Sequence, residues 1–245
     1  MVECAAVYQP RALADQRSGC PPECPLAKMS RFPQKETVSV AIRGLIFDFG
    51  GVITNMRWDV AQRLEEEHGL EKNTLLRSLY RADDWRAIEL GEGDIDAWRA
   101  AAHERLEEAA GRPLPPLHQQ WRDSWHLIDA NISLIKALRP PYRIGVLSNA
   151  DLTLEDRMRD GLGIHGLFDM VISSAVVGMA KPDHRVYHLA AERLTLPVEE
   201  CVFIDDADRN VTAAREVGMA AVHFRVHHGD DLAAQLAELG IRPAR

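Results

Sequence analysis

Several marks of specialised protein classes are missing from this sequence of 245 residues. No apolar run approaches the ~18 residues that a membrane-spanning helix needs; the longest, around residues 45–49 and 144–147, are of strand length. Basic residues are the minority, 29 Lys and Arg against 37 Asp and Glu, which leaves a net charge of −8. They form no cluster, so neither nucleic acid nor an anionic membrane is an expected partner. Cysteine is scarce: Cys4, Cys20 and Cys24 fall in the first 24 residues and Cys201 in an apolar run. That distribution offers no disulfide framework and fits a reducing, cytoplasmic setting. Cys20-Pro-Pro-Glu-Cys24 has half of a zinc-site spacing without a second Cys or His pair, so these cysteines are read as incidental. Internal repeats and the apolar core of a secretory signal are also lacking.

What is present is an ordinary globular composition, 46% apolar and 27% charged, at about one and a half times the usual domain length. Residues 1–38 are rich in Pro, Ala and Arg without a stable period, and are expected to be a weakly ordered extension. From residue 39 the text changes. An apolar run at 40–47 ends in Asp48 and Gly50-Gly51, and the same grammar recurs at 142–147 into Ser148-Asn149, 169–172 into Ser173-Ser174, and 201–204 into Asp205-Asp206. Residues 220–224 make a fifth strand. Helical patterns at 131–138, 152–161 with Asp151 as N-cap, 183–194, and 207–217 closed by Gly218 separate them. Strands alternating with helices predict an α/β fold, a Rossmann-like three-layer core with a parallel sheet.

One interval breaks the alternation. Residues 57–129 show only helical patterns, at 60–68, 75–90, 95–110 and 117–128, which divides the chain into a core of 39–56 and 130–245 and an inserted helical subdomain. That insert holds all five tryptophans, Trp58, Trp85, Trp98, Trp121 and Trp125. At helical spacing most of them are expected to be core residues rather than a ligand cage.

In open α/β sheets ligands bind beyond the carboxyl ends of the strands, where strand order reverses. Asp48, Ser148 and the Asp205-Asp206 pair each follow an apolar run, so separate segments deliver polar side chains to one rim. Taken singly, each is equally a turn or cap residue. Adjacent carboxylates repel unless a cation or solvent accommodates them.

Together the segments Phe47-Asp48-Phe49-Gly50-Gly51-Val52-Ile53-Thr54, Leu147-Ser148-Asn149, Lys181-Pro182-Asp183-His184-Arg185-Val186-Tyr187 and Phe203-Ile204-Asp205-Asp206, with Asn210 to Met219, resemble the four ordered motifs of the haloacid dehalogenase (HAD) superfamily. The resemblance covers residues 40–240, and the insert matches what that superfamily calls a C1 cap. Glu89-Leu90-Gly91-Glu92-Gly93-Asp94-Ile95-Asp96 is similar to a cap stretch of the subgroup with epoxide-hydrolase phosphatase domains and glucose-1-phosphate phosphatases. The resemblance implies that Asp48 is a nucleophile forming an aspartyl-phosphate. It implies Mg²⁺ held by Asp48, the Gly50 carbonyl and Asp206, with Asp205 supporting. Lys181 and Ser148, with Asn149 and Gly51 nearby, would bind the phosphoryl oxygens. Asn210 would orient the acidic pair, and Thr54 and Asn55 would lie in a flexible segment leading to the cap. Trp58, Trp85, Arg86, Glu89 or His126 would select the substrate.

The sequence departs from the family pattern at one place. Phosphatases of the superfamily usually carry a second Asp two residues after the nucleophile as general acid and base, a function typically worth ~10²–10⁴ in rate; here that position is Gly50. Water, His103 or His126 would have to substitute, or a good leaving group would need no acid. Binding of phosphate without turnover is the third outcome. The expected activity is Mg²⁺-dependent hydrolysis of a small phosphorylated metabolite, foremost a sugar phosphate, by a monomer or homodimer. Two alternatives remain, a 2-haloacid dehalogenase, against which the Asp205-Asp206 pair speaks, and a non-catalytic phosphate-binding regulator.

Overall fold

The computed structural model describes residues 40–80 and 83–244; the extension expected for residues 1–38, with Cys4, Cys20 and Cys24, lies outside them. Strand β1 (Gly44–Phe47) has all four residues buried, so it can lie only where helices cover both faces of a sheet. It pairs in parallel with β4 (Arg143–Ser148) in the register Phe47 to Val146, and with β6 (Cys201–Asp205) in the register Phe47 to Ile204. β5 (Met170–Ser173) and β7 (Ala220–His223) extend the sheet to the order β5-β4-β1-β6-β7, all parallel. This is the expected α/β core, with one trimmed boundary. The first strand begins at Gly44 rather than residue 40, and Val40 is exposed because no neighbouring strand reaches it.

Alternation along each strand builds two cores. Leu45, Phe47, Val146 and Ile204 point to one face, against Ile132 and Ile135 of α6 (Asp129–Ala137), Leu154 of α7 (Leu154–Asp156) and Leu236 of α11 (Leu232–Glu238). Ile46, Leu147, Ile172 and Phe203 point to the other, against Val186 and Ala190 of α9 (His184–Arg193) and Ala213 of α10 (Asp208–Glu216). Cys201 belongs to this second core, and burial pushes its thiol up to about 12, which makes it an inert packing residue. Between β5 and α9 lies the short α8 (Ser174–Val177).

The helix expected over 183–194 begins at His184, and Asp183 caps it, its carboxylate accepting from the Arg185 N–H. Asp151 does not cap a helix over 152–161. Its Oδ1 accepts from the Thr153 N–H at 2.8 Å and from Thr153 Oγ1, an Asx turn that delays the helix until Leu154. The chain then continues from α7 into a wider π turn, Arg157–Gly161.

The helical insertion comprises α1 (Trp58–His68), α2 (Thr74–Tyr80), α3 (Asp83–Glu89), α4 (Ile95–Ala110) and α5 (Leu117–Asp123), with its own apolar cluster around Leu75, Leu79, Leu106 and Trp121. Asp94 caps α4 through the Asp96 and Ala97 N–H groups, and Gly111 ends it in a left-handed turn. Two expectations are corrected. The pattern over 117–128 stops at Asp123, and Thr54 and Asn55 are not in a loose segment. Instead β2 (Thr54–Asn55) pairs antiparallel with β3 (His126–Leu127), so the chain enters and leaves the insertion side by side. The period of 3.6 in 117–128 is overridden by a partner more than seventy residues away. No helix among the described residues is long and apolar enough to cross a membrane.

Candidate active site

β1 is the strand at which order reverses, flanked by β4 and β6, and its carboxyl end delivers Asp48. Asp48 still belongs to the ladder, its N–H donating to the Ile204 carbonyl at 2.8 Å. The chain then turns back at once: the Ile53 and Thr54 N–H groups both donate to the Phe49 carbonyl, and the Gly51 N–H to the Thr54 carbonyl. Asn131 clamps the turn by donating to the Val52 carbonyl. Gly51 has φ +82°, and a Cβ placed on it would lie 2.3 Å from Asp206 Oδ2. Glycine therefore serves both the turn and the approach of the second carboxylate.

Lys181 joins the strand ends. Its Nζ lies 2.8 Å from Asp48 Oδ1 and 2.6 Å from Asp205 Oδ2, with all three side chains largely or wholly buried. Asn149 places it, the Lys181 N–H donating to Asn149 Oδ1 and Asn149 Nδ2 donating to the Lys181 carbonyl. Asn149 Nδ2 also lies 3.2 Å from Glu89 Oε2, a contact from core to insertion. Both ends of this amide are thus committed to positioning the lysine backbone and α3. Ser173 and Ser174 turn out to be buttresses, Ser173 Oγ donating to the Ala150 and Asp151 carbonyls and Ser174 Oγ accepting from the Ala150 N–H. Asp205 is saturated, accepting from Lys181, from the Ala207 N–H and from Asn210 Nδ2 on both oxygens. Asn210 thus holds Asp205, the first carboxylate of the pair it is expected to orient, and Tyr187 Oη donates to the Asn210 carbonyl.

The charges are unbalanced. Asp48, Asp205 and Asp206 offer carboxylate oxygens within 4.8 Å of one another, against the single ammonium of Lys181. Burial, reinforced by the other carboxylates and only partly offset by Lys181, pushes Asp48 up to about 6 and Asp206 up to about 7. Burial works against the charge on Lys181, yet Asp205 and Asp48 outweigh it and hold the ammonium above its ordinary range. An all-oxygen set with surplus negative charge fits a hard divalent cation such as Mg²⁺. Asp48 and Asp206 are the available ligands, because Asp205 is already spoken for.

Asp48, Lys181 and Asp206 lie on the floor of a cavity of about 810 Å³ that reaches from the strand ends into the insertion, with Asp205 buried behind them. Asp48, Gly50, Ser148, Asn149, Lys181 and Asp206 line its floor. All five side chains expected to select a substrate, Trp58, Trp85, Arg86, Glu89 and His126, line it too. His103 does not; its Nε2 lies 3.4 Å from Glu107 on the same helix, which removes it as a stand-in acid. The tryptophan expectation is corrected in part. Trp98 and Trp121 are buried in the insertion's core, but Trp58, Trp85, Trp98 and Trp125 all present surface to the cavity. Sequence reasoning missed Met56, Tyr80, Arg122 and Arg157. No local motif marks them, and only the folding of the insertion over the sheet brings them in.

The comparisons with known proteins agree with this architecture. The family model for haloacid dehalogenase-like hydrolases matches residues 42–218. Phosphatase MT3486 of Mycobacterium tuberculosis (strain CDC 1551 / Oshkosh) is 39% identical over 94 residues, 38% of this chain and 43% of that protein. The chain thus matches less than half the length of that relative, and of several others. Fructose-1-phosphate phosphatase YqaB of Escherichia coli (strain K12) is 28% identical over 197 residues, 75% of this chain and 96% of that one. Among solved structures, a HAD family enzyme of Bacteroides thetaiotaomicron in its magnesium complex superposes with a TM-score of 0.59 at 20% identity, over 80% of this chain and 98% of that one. Since the family match spans most of the chain, and a parallel sheet of the same fold carries the acidic rim, this protein belongs to the haloacid dehalogenase-like hydrolases.

Proposed function

We propose that the protein is a Mg²⁺-dependent phosphohydrolase for small phosphorylated metabolites, working through an aspartyl-phosphate. The observation that carries this reading is Asp48 on the cavity floor, paired with Lys181 at 2.8 Å and facing a second carboxylate, Asp206. The phosphatase names of MT3486 and YqaB support it, as does the magnesium in the Bacteroides thetaiotaomicron structure.

Asp48, Asp206 and the Gly50 carbonyl would hold Mg²⁺, with Asp205 supporting through Lys181. When bound, the ion supplies positive charge that offsets repulsion between the Asp48 carboxylate and an anionic phosphate. Asp48 donates an electron pair to phosphorus as the bond to the ester oxygen breaks, and the alcohol leaves. Water then attacks the aspartyl-phosphate and releases inorganic phosphate, restoring the carboxylate. Lys181 neutralises the nucleophile before attack and pairs with a phosphoryl oxygen afterwards. Ser148, at the end of β4, donates to another phosphoryl oxygen. With glycine at position 50, the leaving oxygen takes its proton from water or from His126. Residues 57–129 act as the cap that excludes bulk water.

Phosphate release from a metabolite panel with Mg²⁺ tests the proposal; turnover is expected, and Asp48→Asn and EDTA are each expected to abolish it. Activity that survives either treatment refutes the mechanism. Chloride release from 2-chloropropionate without Mg²⁺ would instead establish the dehalogenase alternative, and tight phosphate binding with no turnover on any ester the regulatory one.

A further inference from the structure

One wall of the cavity on the cap side is built from aromatic and apolar side chains. Trp58, Tyr80, Trp85, Trp98, Trp125 and Met56 all line it, on the same continuous space that reaches Asp48. Their rings form a connected wall: Tyr80 meets Trp85 edge-on at 4.9 Å, and Trp85 lies 5.0 Å from Trp98. Some of the charged groups in this region are already engaged within the protein. Arg86 donates to Glu89 at 2.6 Å, Arg157 lies 3.5 Å from Asp151, and Arg122 rests over the Trp125 ring at 5.7 Å. Two buried donors on cavity-lining side chains, Trp125 Nε1 and Arg157 Nε, have no protein partner among the described residues.

A sugar entering such a site must strip water from several hydroxyls, and each one left without a partner costs about 1–3 kcal/mol. An apolar group loses nothing on desolvation and gains about 25 cal/mol for each Å² it buries. The volume, about 810 Å³, is of the size that encloses drug-sized ligands, far more than a phosphoryl group fills.

We propose that the substrates are phosphate monoesters of bulky apolar or aromatic alcohols, with the organic group held in the cap's aromatic pocket and the phosphate at Asp48. This deepens the phosphatase reading of the site and rests on it for the reaction, though not for the binding. The same two-step displacement applies, with a water-insoluble alcohol as the product that leaves.

Two measurements separate this inference from the reaction it builds on. Octyl phosphate and glucose 6-phosphate are both esters of primary alcohols, so their leaving groups are comparable and the pocket decides between them. With Mg²⁺, kcat/KM is expected to favour octyl phosphate by tenfold or more, and Trp85→Ala to shrink that ratio. Because all five tryptophans lie in the insertion, intrinsic fluorescence reports on this region alone. Octylphosphonate, which cannot be hydrolysed, is expected to shift the tryptophan emission saturably. Efficient turnover of glucose 6-phosphate with no response to octylphosphonate overturns the inference and leaves the phosphatase standing. A saturable shift without turnover of any ester supports the pocket and overturns the reaction; neither binding nor turnover overturns both.

Discussion

Asp206 occupies the space a side chain at Gly51 would take: a Cβ there would stand 2.3 Å from Asp206 Oδ2 and 2.6 Å from its carboxyl carbon. The two residues come from different strands' ends, so the turn after β1 and the acidic pair after β6 can close on each other only through a glycine. Gly51→Ala must displace Asp206 and also hold an alanine at φ +82°, a conformation costing about 1–2 kcal/mol. The expected outcome is a weaker Mg²⁺ requirement curve, with the half-saturating concentration raised about 10–100-fold. A Mg²⁺ titration of phosphate release reads this directly.

Among the described residues, Lys181 is the sole cation within bonding distance of the fully buried Asp205 carboxylate. Lys181→Met leaves that charge and Asp48 uncompensated, which for a buried pair costs about 3–5 kcal/mol. Thermal melts should fall by about 10 °C or more. Adding Asp205→Asn removes the stranded charge, so the double variant is expected to melt above the single one while remaining inactive.

The metal-free protein should lose stability as pH rises through neutrality. Asp48 and Asp206 titrate at about 6 and about 7 in the folded chain, above the 3.8 of an unperturbed Asp. The folded state therefore keeps protons that the unfolded state has released, and stability present below about pH 4 is lost as pH passes the folded values. His118, which burial lowers to about 4, acts in the opposite direction, costing stability as pH falls below about 6.5. The clean window is thus about pH 6.5 to 8. There the melting temperature in EDTA is expected to decline, the decline to flatten in Asp206→Asn, and Mg²⁺ to raise it most at the upper end, where the ligands are deprotonated.

Met56 stands over Gly50, its Sδ 2.9 Å from where a Cβ would be. That neighbour is the far end of a flexible side chain, so Gly50→Asp is structurally admissible, more so with Met56→Ala. Where the missing acid limits turnover, this pair of substitutions should accelerate hydrolysis of alkyl phosphates, by up to the ~10²–10⁴ typical of general acid help, with little change on p-nitrophenyl phosphate. Equal effects on both substrates would show that protonation of the leaving group is not limiting.

Much of the core is legible in the chain itself. Runs such as Leu45-Ile46-Phe47 and Cys201-Val202-Phe203-Ile204 are apolar on both faces, which only a covered parallel strand satisfies, and each ends in the polar residue that reaches the rim. Asp48, Ser148, Lys181 and the acidic pair were therefore assignable to one edge from strand ends and family motifs. The insertion was readable as helical, but not its faces. A helix pattern tells that an apolar stripe is buried without telling what buries it.

Local order decided which segments became strands and helices, because periodicity and capping act within a few residues. The tertiary structure decided three further things. It ended the helical pattern of 117–128 to pair β3 with β2, it spent Asn149 and Asp205 on holding Lys181, and it turned four of five tryptophans toward the cavity above Asp48. Each depends on partners tens of residues away, and burial energy is indifferent to sequence distance: an indole is buried equally well against a core leucine or across a cavity wall, and only the assembled fold settles which.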